Sequence, residues 1–198
     1  MVMSCDENND LLIPENRSFS EPIPFSQFDA SLSDLPNSTM TIEGTLTLSP
    51  DGRLLNVMRF GKYHRALAYE VNVHNPDAPL AYSHCIDFPA NYSKFMIKYD
   101  AASRRYYSIG TIAYDPKNPA ARDYLALLTS PDLEHWEIVR DLHDYRAIEP
   151  DHIGFQYVDF EFDGEDIIYL CRTAFNGAHN YHDANYSTFH RIQNFRNL

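Results

Sequence analysis

Cysteine is scarce in this chain, and the three present, Cys5, Cys85 and Cys171, are odd in number and show no CxxC spacing. That argues against a disulfide framework and a structural zinc site. Basic residues are also few. Sixteen Lys and Arg stand against 28 Asp and Glu, a formal net charge of -12, and no Lys/Arg cluster interrupts the acidic background. Nucleic acid and anionic membrane surfaces are poor partners for such a chain. A neutral substrate suits the balance, whereas an anionic one requires a local basic pocket. No apolar run approaches the ~18 residues of a spanning helix, and residues 1–10 are polar and acidic, unlike a secretory leader. The chain reads as soluble. Helical periodicity is missing throughout.

Aromatic residues, by contrast, are abundant. Fourteen Tyr and twelve Phe accompany one Trp, and 44% of residues are hydrophobic. This is enough to bury a core, and rings of this kind suit half-buried strands or sugar-facing surfaces. Cys171 lies in an apolar run and reads as a small core residue.

Residues 1–40, with Pro14, Pro22, Pro24 and Pro36, read as an extended arm with one edge strand near 23–28. From 41 the texture alternates. Glu43-Gly44-Thr45-Leu46-Thr47-Leu48 is followed by the turn Pro50-Asp51-Gly52, a second strand to Phe60, a third over 66–73 and a fourth over 81–88. The plan repeats over 94–99, 104–113, 123–130 and 135–140. It starts again at Gln156, where Phe162-Asp163-Gly164 marks the hairpin. Such units predict an all-β chain, a partial β-propeller of about three antiparallel four-stranded blades at 41–90, 91–150 and 151–198. A β-sandwich of similar strand count is the alternative. Ser130-Pro131-Asp132-Leu133-Glu134-His135-Trp136 predicts a capped turn whose Trp packs between blades.

In an up-and-down blade, the start of strand one, the end of strand two and the following loop share one rim. That rim collects Glu43, Arg59, Lys62, Tyr63, His64, Lys94, Gln156, Tyr157, Asp159, Arg172 and the 179–183 loop. Strict alternation puts Tyr157, Asp159 and Glu161 on one strand face and Val158, Phe160 and Phe162 on the other. Glu43, Asp159 and Asp183 are candidate catalytic carboxylates, with Tyr157 and His182 moving protons. Arg59, Lys94, Arg172, His179 and Asn185 are candidate substrate contacts. Each has a structural reading beside it: arginines paired with inter-blade carboxylates, and a loop bonded to its own backbone. His179, His182 and Asp183 have a weak metal spacing, and no metal or cofactor is assigned.

The stretches Glu43-Gly44, Pro50-Asp51-Gly52-Arg53-Leu54-Leu55-Asn56 with Arg59, Lys94-Phe95, Gly154-Phe155-Gln156-Tyr157-Val158-Asp159, Phe162-Asp163-Gly164, Arg172-Thr173-Ala174 and His179-Asn180-Tyr181-His182-Asp183-Ala184-Asn185-Tyr186-Ser187-Thr188-Phe189-His190-Arg191 resemble the sialidase-like family of bacterial β-propeller proteins, labelled exo-alpha-sialidase or glycosyl hydrolase. The resemblance runs from about residue 40 to the C-terminus. It implies a glycoside hydrolase acting on a terminal sugar, an exported or periplasmic location and further N-terminal blades. By that resemblance the chain holds the C-terminal half, and its open sheet edges are covered by the other half or by another chain. Sialidases bind the substrate carboxylate with three arginines and pair a Tyr nucleophile with a Glu and a separate Asp acid. Here the motifs supply Arg59 and Arg172 and assign no Tyr–Glu pair. A polysaccharide lyase or a non-catalytic sugar-binding or assembly module are the other readings.

Overall fold

The computed structural model describes residues 1–23, 41–61, 64–90, 93–146, 148–149 and 151–198. Strands β1 (Met3–Cys5) and β2 (Arg17–Phe19) form a small hairpin. The first large sheet contains β3 (Thr41–Leu48), β4 (Leu54–Phe60), β5 (Arg65–Glu70) and β6 (Ala81–Asp87), paired antiparallel in chain order. The second repeats that order with β7 (Met96–Asp100), β8 (Arg105–Thr111), β9 (Tyr124–Ser130) and β10 (Glu137–Asp144). The third has three strands, β11 (Gly154–Asp163), β12 (Asp166–Ala174) and β13 (Tyr186–Ile192). Two 3-10 turns, Pro14–Asn16 and Phe195–Asn197, complete the elements, and no α-helix occurs among the described residues.

Innermost strand β3 packs on β7, and β7 with β8 packs on β11. The three sheets are therefore successive blades of a partial β-propeller, with cores between them rather than within one enclosed barrel. Blades one and two close over Leu55, Val57, Phe88, Phe95 and Ile97. Trp136 stands edge-on to Phe88, centroids 5.0 Å apart, after the turn in which Ser130 Oγ and Asp132 accept backbone N–H bonds. The Ser130–Trp136 signature thus performs the structural task read from it. Blades two and three close over Tyr107, Ile109, Phe155, Phe160 and Ile167.

The outer face of blade one carries Phe60, Leu67 and Tyr69, and Val2 and Ile23 of the N-terminal segment pack against it. Ser20 and Glu21 fasten that segment, the latter donating its N–H to Asp77 O at 2.8 Å. The corresponding face of blade three exposes Leu170 and Phe189, which pair across β12 and β13. The edge strand expected near 23–28 falls outside the described residues beyond Ile23, as do Lys62 and Tyr63.

Between blades two and three, the His143 ring stacks on Phe155 at 4.4 Å and meets His190 edge-on at 4.7 Å. Burial, then the neighbouring His190, push the His143 pKa down to about 4. The unfolded chain, with an ordinary imidazole near 6.5, binds more protons in this window, so stability is complete above pH ~6.5 and is lost as pH falls toward 4. Thermal melts between pH 7 and 4 should therefore fall more steeply for the native chain than for His143→Phe. Parallel curves would exclude this histidine as the cause.

Candidate active site

Two backbone irregularities build the mouth of the blade assembly. In β3, Glu43 is the extra residue of a bulge between the rungs Ile42–Arg59 and Gly44–Met58. In β11, the register shifts between the Gln156–Arg172 and Asp159–Leu170 rungs, and Tyr157 is the extra residue. Both adopt the left-handed conformation, with φ of 55° and 54°. For side-chain-bearing residues this costs roughly 1–3 kcal/mol and concentrates at functional sites. The device is the same in both blades: a bulged residue turned inward beside an arginine on the second strand.

The two bulged side chains meet. Tyr157 Oη donates to Glu43 Oε1 at 2.8 Å, and Arg59 Nη1 donates to Glu43 Oε2 at 2.9 Å. Burial pushes the Glu43 carboxyl up, but the bonds from Tyr157 and Arg59 outweigh it and hold it below the usual carboxylate range. Burial and the bond to Glu43 push the Tyr157 phenol up. The resting pair is a carboxylate accepting from a neutral phenol. The Arg172 guanidinium lies over the Tyr157 ring, 4.9 Å from its centroid, and donates to His182 O at 3.0 Å.

A third guanidinium, absent from the sequence reading, completes the mouth. Arg122 is only 6% exposed, and its main chain bridges to Gly154 in parallel, with Phe155 N–H bonded to Arg122 O at 2.8 Å. Its Nη1 bonds Gln156 Oε1, its Cζ stands 5.6 Å from the Tyr181 ring, and its Nε makes no hydrogen bond among the described residues. Burial and the nearby Arg59 charge lower its pKa, and it acts electrostatically on both Glu43 and Tyr157. Gln156, 1% exposed, donates through Nε2 to Tyr181 O at 2.9 Å and His182 O at 3.0 Å, fixing the loop over the mouth. The available sequence signal for Arg122 was its place two residues before β9, a position that strand periodicity does not assign to any rim.

Other predicted site residues lie elsewhere or act locally. Asp159 is exposed, 3.7 Å from Lys98 Nζ, and its Oδ1 accepts the Phe160 N–H. The bulge explains this. Inserting a residue at Tyr157 turns that side chain to the mouth and leaves Asp159 with Glu161, which Lys98 also binds. Asp183 accepts from Asn180 at 2.8 Å and pairs with His179 at 2.9 Å, while Asn180 Oδ1 accepts the N–H groups of His182 and Asp183. His182 therefore reaches the mouth through its carbonyl oxygen. Asn185 clips the loop, accepting the Phe175 N–H and donating to its carbonyl. Lys94 is half-buried at the entrance to β7, and the bonds to Glu43 among the described residues come from Tyr157 and Arg59. Among the described residues, no three His, Cys, Asp or Glu side chains gather as a metal-ligand set.

Chemically, among the described residues the mouth offers the Glu43 carboxylate, the Tyr157 phenol and three guanidinium groups. The chain's overall charge is strongly negative, but exposed charges are screened over ~8 Å at physiological salt, so this local excess of cation governs a bound group.

No protein-family model matches the chain, and no curated protein matches it significantly. Among solved structures, an alpha-L-arabinofuranosidase of Fusarium graminearum is similar at TM-score 0.50 and 10% identity, covering 78% of this chain and 45% of that one. An alpha-L-arabinanase of Penicillium chrysogenum aligns at TM-score 0.49 and 14% identity, covering 78% and 46%. A beta-fructofuranosidase of Bombyx mori aligns at TM-score 0.49 and 14% identity, covering 80% and 35%. The chain thus spans less than half the length of these neighbours. The likeness to the arabinofuranosidase is one of fold alone, and the sialidase-like resemblance finds no support in these neighbours.

Proposed function

We propose that this chain carries the reaction centre of a carbohydrate-active enzyme whose substrate is a sugar bearing a carboxylate, cleaved as a glycoside. The carrying observation is the 2.8 Å bond between Tyr157 Oη and Glu43 Oε1, bracketed by Arg59, Arg122 and Arg172. Three guanidinium groups around one carboxylate leave a cationic excess that a substrate carboxylate would balance, and planar guanidinium forks suit that geometry. As a hydrolase, Glu43 would accept the phenol proton as the Tyr157 oxygen bonds to the anomeric carbon and the glycosidic C–O bond breaks. A water gives its proton to the leaving oxygen, and its hydroxide then replaces the Tyr157 oxygen while Glu43 returns the proton to the phenol. The tyrosine–glutamate pair and the three arginines fit a sialidase-like form of this activity. Propeller glycosidases with the same fold support its carbohydrate class.

One observation favours a second reading. Among the described residues, Glu43 is the one carboxylate bonded at the mouth, Asp159 pairing with Lys98 and Asp183 with its own loop, so the paired carboxylates of an ordinary glycosidase are not brought together among them. A lyase needs no such pair. Arginines neutralise a uronic carboxylate, and Tyr157, relayed to Glu43, removes the adjacent carbon-bound proton while the glycosidic C–O bond breaks to leave a double bond. A non-catalytic sugar-binding module remains the reading from another class.

Aryl glycosides of N-acetylneuraminate and of galacturonate, together with polyuronates, separate the three. Release of the aryl alcohol from a glycoside supports hydrolysis. An unsaturated product absorbing in the near ultraviolet supports elimination. Binding without either product leaves the module, and neither binding nor product overturns the carboxylated-sugar reading.

A further inference from the structure

Next to the mouth, on the opposite face of blade three, runs a groove of about 280 Å³ between β10 and β13. Its base is the His143–Phe155 stack, and its sides are Tyr145, Phe175 and Tyr186. One wall carries an unbroken run of neutral polar groups. Thr173 Oγ1 and Thr188 Oγ1 are 2.7 Å apart, and His190 Nε2 is 2.8 Å from Thr188 Oγ1. No carboxylate, lysine or arginine lines it.

We infer that this groove is a second saccharide subsite, holding an uncharged sugar unit next to the unit whose carboxylate sits among the arginines. The inference rests on the mouth being the place where the anionic unit binds. Three observations carry it. The lining matches the ligand, because sugar hydroxyls both donate and accept, as do threonine hydroxyls and neutral imidazoles, while aromatic faces pack on the C–H faces of the ring. The size fits a single ring, lying just below the ~300–1,000 Å³ of small-molecule clefts. The groove and the mouth also share one end of the β11–β12 ladder, Phe155 and Thr173 facing the groove and Gln156 and Arg172 the mouth. The Phe155–Thr173 rung directly adjoins the Gln156–Arg172 rung of the β11–β12 ladder, a rise of ~3.3 Å. The loop that covers the mouth through His182 O is clipped to the groove through Asn185 and Phe175. A chain of alternating character, charged at the mouth and neutral beside it, would be gripped at both points.

Titration of the full chain with arabinotetraose, galactotetraose and fructotetraose, and separately with N-acetylneuraminate and galacturonate, tests this by following the His143 and His190 imidazole signals. At least one neutral tetrasaccharide should shift both. Tyr186→Ala, a change at a side chain 47% exposed, should weaken that binding about tenfold while leaving either acid monosaccharide unaffected. Immobile imidazoles with every neutral tetrasaccharide, or unchanged binding in Tyr186→Ala, overturn the groove. If the acids fail to bind while the tetrasaccharides still move the imidazoles, the mouth reading falls and the groove stands. The reverse pattern removes the groove alone.

Discussion

Tyr157→Phe should lower turnover by about 10³-fold, within the ~10²–10⁴ range for a positioned proton-transfer group, with little change in substrate binding. The substitution deletes one oxygen and keeps the ring under Arg172, so the arginine cluster that would anchor the substrate is untouched. Glu43→Gln should cost a similar factor, because the amide keeps the size of the side chain and loses the acceptor charge that receives the phenol proton. The double variant should be scarcely worse than either single one, since two groups acting on one proton are not additive. The pH profile should show a broad plateau. Activity needs Glu43 ionised and Tyr157 protonated, so the acid limb lies below the ordinary carboxylate value of 4.5 and the alkaline limb above the ordinary phenol value of 10.0. Full turnover in Tyr157→Phe would end the catalytic assignment, and a loss confined to KM would point to binding alone.

A second large effect concerns stability. Arg196, in the C-terminal 3-10 turn, donates to both oxygens of Asp100, each at 2.7 Å, and Asp100 also accepts from the Ser103 N–H and hydroxyl. The pair joins the β7–β8 turn to the end of the chain, and the Asp100 side chain is only 6% exposed. Arg196 first, and Ser103 after it, hold the Asp100 carboxyl far below the usual range against its burial. Removing one partner of a buried pair strands the other, at ~3–5 kcal/mol. Arg196→Ala should therefore lower the melting temperature by roughly 6–20 °C for a chain of this size. A carboxyl depressed in the folded state stabilises above its unfolded pKa of 3.8 and loses that contribution as pH falls through the folded value. The difference between native chain and variant should hence be full at pH 7 and shrink only in strong acid. A melting shift below 2 °C at pH 7 would show that this contact is dispensable.

The blades were readable because their signals are local. Alternation in 42–48, the Asp163-Gly164 turn and the Ser130–Trp136 cap each act within a few residues, and the strands fall within one or two residues of their expected starts in most cases. The fourth strand of blade two is the main extension, running to Asp144 rather than ending at 140 through two register shifts. Glu43, Arg59, Tyr157 and Arg172 were rim candidates, but the tyrosine–glutamate bond joins positions 114 residues apart. No local pattern announces such a contact. Asp159 was grouped with Tyr157 because strict alternation was carried across a bulge, and one inserted residue separates their directions. Arg122 was missed for the complementary reason: its role comes from blade three reaching back to its backbone, whereas its own neighbours show only the approach to a strand.

The duplicated bulge has a mechanical corollary. Phenol and carboxylate hang from corresponding points of the first and third blades, with the second wedged between them, so their separation measures the curvature of the arc. A few degrees of splay would break the contact without altering any blade internally. Whatever closes the remainder of the ring would then tune reactivity at a distance, by setting how tightly the arc is drawn.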